Sequence, residues 1–383
     1  MWQLCGPGLE AAQQPRRGQQ RHPHLRARHA RVGQEDDGCP CRDGATMRHV
    51  ITGGAGMIGS HLADALTARG ERVLVVDNFS RGKLANLTGA IQTGLVKVCH
   101  LDLEHKPLEL EPDDVVWHLA AKVAGIEYNR HNQYEMLRAN LAINTNVIEA
   151  VRKAKPALFC FVSTVCVYPA DAPVPTPESA GDVGNPEPTN HGYGVAKWLG
   201  EQMVKHLHKE HNQACFIVRL NNAAGPRDYY DPESSHVIPA LIRRTLAGEN
   251  PVVVWGSGKQ TRVFVDTRDI AKALVLLGDL VPTLYESTAF ACRWKTIGNM
   301  LRNTGPLVIN IGHERETSIA EVIDTVVRQS GLDVGYEFDT SKPDGHARRM
   351  PDVSQLKGFI GWLPDRKLSD TVADMIADYR GRG

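Results

Sequence analysis

The feature that most constrains how this chain can fold is a glycine-rich turn, Thr52-Gly53-Gly54-Ala55-Gly56-Met57-Ile58-Gly59. It lies between a short apolar run ending at Thr52 and a helical pattern running from Met57 to about Arg69. Closely spaced glycines let a strand turn sharply into a helix while another backbone packs against the turn. Further apolar or β-branched runs lie at 72–77, 95–101, 115–119, 158–163 and 215–220, with helical patterns over 135–153 and 193–210 between them. Strands that alternate with helices predict a parallel sheet covered on both faces.

The fold class expected is therefore α/β, a Rossmann-type doubly wound parallel sheet joined to a smaller mixed α/β lobe. Residues 47–225 form the nucleotide-binding part and 226–383 mainly the lobe, with 252–272 returning to the first part. Past Gly225 the pattern predicts helices at 236–248, 269–277 and 318–330 and strands at 252–255 and 307–311. Periodicity is weak over 285–305, which reads as an insertion. Residues 1–46 are rich in Gln, Arg, Pro, His and Gly and lack apolar periodicity, so they read as a disordered tail or as sequence upstream of a start at Met47.

Bulk properties exclude several classes. The formal net charge is zero and no apolar run reaches the roughly 18 to 20 residues of a membrane span, which argues against nucleic acid and membrane as partners. Eight cysteines scattered through 383 residues read as reduced thiols, and hence as a cytoplasmic protein. Cys39 and Cys41 have no second ligand pair at zinc spacing, so no metal is assigned.

The glycine turn, opening a helix directly after a strand, is suited to a dinucleotide pyrophosphate. Gly53, Gly56 and Gly59 allow close approach, and the amides of Met57, Ile58 and Gly59 stand at a helix amino terminus. Asp77 closes the second strand about twenty residues on, where a carboxylate can take both ribose hydroxyls and repel a 2′-phosphate. With its neighbour Asn78 it favours NAD over NADP, while Arg81 is the nearby cation that could accommodate the phosphate of NADP. Asp102 and Leu103 follow the third strand, where Asp102 either meets the adenine or caps a helix. Ala120, Ala121 and Lys122 follow the fourth, where small residues let a cofactor pack on backbone.

Tyr193 and Lys197 are four residues apart on a predicted helix and so share one face. The ammonium is expected to favour the phenolate of Tyr193, which then accepts a proton from a substrate hydroxyl while hydride leaves the same carbon. Thr164, at the end of the preceding strand, supplies a hydroxyl to the same oxygen, and Lys197 also holds the nicotinamide ribose.

These strings, TGGAGMIGS at 52, HLAA at 118, STVCVYP at 163, YGVAK at 193 and RLNNAAGPRD at 219, resemble the extended short-chain dehydrogenases/reductases of the nucleotide-sugar epimerase/dehydratase group. AKVAGIEYN at 121, SHVIPALIRR at 235, VVVWGSGKQTR at 252 and KPDGHARRMPDV at 342 are similar to GDP-L-fucose synthases, with GDP-mannose 3,5-epimerases as relatives. The resemblance covers nearly all of 47–383. It implies that Cys166, two positions after Thr164, and His236, opening the HVIP string, are the acid/base pair that inverts carbon 3 or 5 of a hexose beside a transient ketone at carbon 4. By themselves, Cys166 reads equally as a buried strand-end thiol and His236 as a helix cap. The resemblance further implies that Asn222, Arg243, Arg244, Arg262 and Arg348 or Arg349 line the nucleotide-sugar site, guanidinium being suited to phosphate.

Departures from the fucose synthase pattern at Ala55 and Asp77 favour NAD that is reduced and reoxidised within one cycle, hence a GDP-hexose epimerase. The alternatives are a fucose-synthase-like 3,5-epimerase/4-reductase using NADPH and, from another class, an idle dinucleotide-sensing scaffold on the same fold. The family commonly dimerises through the two helices at 135–153 and 193–210, with Trp198, Leu199 and Val204 supplying apolar surface or else facing the core.

Overall fold

The computed structural model describes residues 47–279, 305–342 and 345–382. The expectations for 1–46 and, apart from Gly305, for the insertion at 285–305 fall outside that range.

The chain from Met47 alternates as its pattern predicts. Strand β1 (Arg48–Thr52) leads through the glycine turn into helix α1 (Met57–Thr67), followed by β2 (Arg72–Asp77), α2 (Thr88–Gln92), β3 (Val96–His100) and β4 (Val115–His118). A short helix α3 (Ile126–His131) and the long α4 (Gln133–Ala154) precede β5 (Leu158–Thr164), α5 (His191–His211) and β6 (Cys215–Leu220). These strands pair in parallel in the order 3-2-1-4-5-6, and β11 (Leu307–Ile311), from much later in the chain, adds a seventh strand beside β6. The order reverses between β1 and β4, and the carboxyl ends there form the crevice in which open α/β sheets bind ligands.

Two apolar clusters sandwich the sheet. On one face Leu62 and Leu66 of α1 meet Ile270 and Leu274 of α7 (Thr267–Gly278) over Ile51, Val75 and Trp117. On the other, Val147 and Val151 of α4 and Val204 and Leu207 of α5 cover Val50, Val116 and Phe161. The fully buried Val204 is therefore a core residue, not part of an exposed apolar face, and Trp198 donates its indole N–H to Gly181 O at 3.1 Å.

After β6 the chain forms smaller sheets. Strand β7 (Asn222–Ala224) pairs with β10 (Phe264–Asp266), and β8 (Val252–Trp255) pairs with β13 (Tyr336–Asp339). Strand β9 (Thr261–Arg262) lies between β12 (Thr317–Ser318) and β14 (Arg348–Arg349). A third apolar cluster joins α6 (Val237–Leu246), the helix Ile319–Ser330 and the helix Leu368–Arg380 through Ile242, Val322, Val326, Val372 and Met375. Ser318 and Glu321 close a reciprocal capping box on Ile319–Ser330. The stretch 252–272 differs from expectation: β8 belongs to this outer set, whereas the helix after Asp266 lies against α1, and the strand that rejoins the main sheet is β11.

Candidate active site

At the crevice, Gly53 sits at φ +69°, and a Cβ there would lie 2.8 Å from Ala120 N. A side chain at Gly59 would meet Gly53 O at 2.5 Å, so the turn packs backbone on backbone across the switch point. No side chain caps α1 at Gly56, which leaves its first amides facing the crevice mouth. These features fit a dinucleotide pyrophosphate.

Asp77 lies beside this turn, 8% exposed, accepting Ala55 N at 2.9 Å and Phe79 N at 2.8 Å. Burial raises its carboxyl above the usual range, against the lowering effect of those two amides. Each oxygen retains a lone pair for a ribose hydroxyl. Asn78 accepts Ser80 N at 3.0 Å, shaping the same loop. Arg81 is committed elsewhere: its guanidinium bonds Val123 O and lies 4.2 Å above the Tyr229 ring. Asp102 opens a turn rather than a helix, accepting Glu104 N at 3.0 Å and contacting His105 at 3.1 Å. Leu103 is core, and Lys122 pairs with Glu135 at 2.7 Å beside Ala120 and Ala121.

Thr164 ends β5, and its hydroxyl accepts the amide of Cys166 at 3.2 Å. Tyr193 and Lys197 occupy successive turns of α5. Lys197 is 2% exposed, donates to Val162 O at 2.8 Å and lies 5.1 Å above the Phe161 ring. Burial pulls its ammonium down to about 8, partly offset by Glu201. The phenol of Tyr193 is pushed up, first by burial and then by Cys166. The expected lowering of Tyr193 by Lys197 is thus not what the arrangement shows, because Lys197 spends its charge on a carbonyl and on Glu201. Beneath them Glu201 takes Ser163 Oγ at 2.5 Å and forms a fully buried ion pair with Arg219 at 2.6 Å.

Cys166 joins this group. Asn190 Nδ2 lies 3.8 Å from its sulfur. Arg349 and His346 both contact one oxygen of Glu187, at 2.7 and 2.8 Å, while Asn190 donates to the other at 3.1 Å. His236 stands apart, opening α6 without a side-chain cap bond. Its Nδ1 faces Asp228 at 3.9 Å, and among the described residues it has no hydrogen bond to Cys166. The two positions communicate through Asn129, which donates to Asn190 at 3.0 Å and to Ala124 O at 3.2 Å, and through Gly125, whose amide donates to Ser234 O at 2.8 Å.

The remaining predicted substrate residues divide. Arg244 is a strut, bonded to both oxygens of Glu249 and to Val253 O, and Arg348 is an exposed partner of Glu316. Arg262 holds Thr261 O and His346 O at 2.7 Å each, in register with Arg349. Arg243 keeps a buried Nε without a partner, and Asn222 donates to Val263 O at 3.3 Å. Glu187, Asn190, His346 and Asp228 escaped the sequence reading. Glu187 and Asn190 lie in the turn before α5, and nothing in their spacing reports which side chains they meet. Among the described residues, no helix is long and apolar enough to cross a membrane.

Residues 49–283 match the NAD dependent epimerase/dehydratase family. GDP-L-fucose synthase 1 of Arabidopsis thaliana is 31% identical over 333 residues, covering 86% of this chain and 92% of the relative. GDP-L-fucose synthase of Escherichia coli (strain K12) is 30% identical over 333 residues, covering 85% and 94%. Among solved structures, a UDP-glucuronic acid 4-epimerase from Bacillus cereus, in complex with UDP-glucuronic acid and NAD, superposes with a TM-score of 0.69 at 24% identity, covering 88% of this chain and all of that one. With its parallel seven-stranded sheet and its glycine crevice at the switch point, the chain belongs to the NAD-dependent epimerase/dehydratase family.

Proposed function

We propose that this chain is a nucleotide-sugar epimerase acting on a GDP-hexose, with NAD held in the crevice of 47–225 and the sugar nucleotide held mainly by residues beyond 225. One observation carries the reading: Thr164, Cys166 and Tyr193 converge where β5 meets α5, at the carboxyl edge of the sheet on which Asp77 ends β2. When bound, the nicotinamide supplies a two-electron acceptor that makes a ketone at carbon 4 and later returns the hydride. Tyr193, once in its phenolate form, takes the proton of the 4-hydroxyl and Thr164 holds its oxygen. The ketone acidifies the neighbouring C–H bonds, and Cys166 and His236 exchange protons there from opposite faces.

The relatives' names favour a second reading, a fucose-synthase-like 3,5-epimerase/4-reductase that consumes NADPH. Incubation with GDP-mannose or GDP-4-keto-6-deoxymannose in heavy water, with NAD or NADPH, separates the two. Deuterium at carbon 3 or 5 of GDP-mannose without net NADPH loss supports the first. Turnover of the keto-deoxy sugar alone, with stoichiometric NADPH loss, transfers the assignment to the second. Protein that carries no dinucleotide as purified and turns over neither sugar revives the idle dinucleotide-sensing scaffold. Cys166→Ser is expected to suppress ring-proton exchange yet spare dinucleotide binding. A homodimer through α4 and α5 is part of the same reading, and sedimentation at monomer mass would remove it.

A further inference from the structure

Arg81 is the cation that the sequence offers for a 2′-phosphate, and the structure puts it to another use. Its backbone is fixed by the cofactor turn: a Cβ at the next residue, Gly82, would lie 2.8 Å from Ala55 Cβ and 3.0 Å from Asp77 Oδ2, and Lys83 N donates to Ala55 O at 3.2 Å. From there the half-buried side chain runs to the backbone of Val123, whose carbonyl accepts from its guanidinium. The strand order decides what this link crosses. Strand β1 lies between β2 and β4, so the loop after β2, which carries Arg81, and the loop after β4, which carries Val123, flank the glycine turn at 53–59. The bond from Arg81 to Val123 therefore joins the two banks of the crevice that fits a dinucleotide.

A third loop is drawn into the same junction. The guanidinium lies 4.2 Å above the ring of Tyr229, close enough for a cation–π contact. Tyr229 belongs to the loop that leads to His236, and that loop is itself held: Asp231 accepts the amides of Glu233 and Ser234, both at 3.0 Å, and Gly125 N donates to Ser234 O at 2.8 Å. One side chain thus ties together the loop beyond Asp77, the loop beyond Ala121 and the loop before His236.

We propose that Arg81 is a clasp that closes the crevice over a bound dinucleotide and has to let go before the dinucleotide can leave. The inference rests on the reading of the chain as an epimerase, because the hydride taken from carbon 4 must return to it, and NADH lost midway would strand the ketone. A reductase that exchanges its dinucleotide at every turnover gains nothing from such a clasp. Release and capture both wait on the same opening, so the clasp slows both rates and leaves the equilibrium affinity nearly untouched.

The test uses the full chain with NADH as the probe, its fluorescence reading both binding and displacement by excess NAD in stopped flow. Arg81→Met is expected to raise the release and binding rates together by about tenfold, the scale of one lost hydrogen bond from a charged group, with Kd changed by less than about threefold. Tyr229→Leu keeps the Val123 bond and is expected to raise both rates by about threefold, and it also serves if the Met variant melts early. Rates that stay unmoved in both variants overturn the proposal. So does a Met variant that loses affinity through faster release alone, which would make Arg81 a direct ligand of the dinucleotide. Selective loss of NADPH binding with NADH kinetics unchanged also overturns it, and would return Arg81 to the 2′-phosphate. If the rates answer to Arg81 while the wild-type protein exchanges no ring proton of GDP-mannose, the clasp stands and the functional reading alone falls.

Discussion

The two ends of the proposed sugar site are built to different standards. Around Cys166 and Tyr193, Glu187, Asn190, Lys197, Glu201 and Arg219 all have hydrogen-bond partners, although several are fully buried. In the segments at His236, by contrast, several buried polar atoms have no hydrogen-bond partner among the described residues: His236 Nδ1, Asp228 Oδ2, Ser235 Oγ and, further along α6, Arg243 Nε. An unsatisfied buried polar atom costs about 1–3 kcal/mol, so native proteins keep such atoms sparingly. The fold by itself completes the first end. In the proposed reading, the second end takes its polar partners from the sugar nucleotide.

Breaking the finished end should be costly. Arg219→Met leaves the buried carboxylate of Glu201 without its ion-pair partner, and is expected to destabilise the protein by about 3–5 kcal/mol in denaturant unfolding. A loss below about 1 kcal/mol would mean that this end is not the rigid one.

Acid sharpens the contrast next. His49, His61 and His118, all in the sheet half, are held down to about 4, 4 and 3 by burial first. Unfolding frees them to bind protons below their ordinary value near 6.5, so the stability they contribute is complete above that pH and is lost as pH falls towards 4. Urea midpoints are expected to drop over this window and to drop less in His118→Asn, whose amide does not titrate. A midpoint that stays flat from pH 6.5 to 4 would contradict the assignment.

The smallest effect belongs to the unfinished end. Asp228→Asn removes a carboxylate whose second oxygen bonds nothing, and is expected to change stability by less than about 1 kcal/mol. The same substitution should weaken sugar-nucleotide binding measured by calorimetry. A large loss of stability with binding unchanged would show that Asp228 is structural and that the two ends do not differ in kind.

The sequence made one of these regions far more legible than the other. Strands β1, β2 and β6 and the helices carrying Met57, Tyr193 and Lys197 follow from apolar runs and 3.6-residue periodicity, because a sheet buried on both faces leaves little freedom in its pattern. Thr164, Cys166 and Tyr193 come together because strand and helix are neighbours in both sequence and space. Strands of two to four residues such as β9, β12 and β14 carry no period to read, and their pairing joins residues more than fifty positions apart. For that reason the pairing of Arg349 and His346 with Glu187, and that of Arg348 with Glu316, were invisible in the sequence.

The position of β11 bears on how the protein is made. Strand β6 is flanked by β5 on one side and on the other by a partner that leaves the ribosome only after the intervening lobe has been synthesised. Until then Ile217 and Val218 border an open row of amides and carbonyls, a template for pairing with a neighbouring nascent chain. Any product arrested before Leu307 keeps that edge permanently bare, so truncated copies should clump or recruit chaperones even though six of the seven strands are already present.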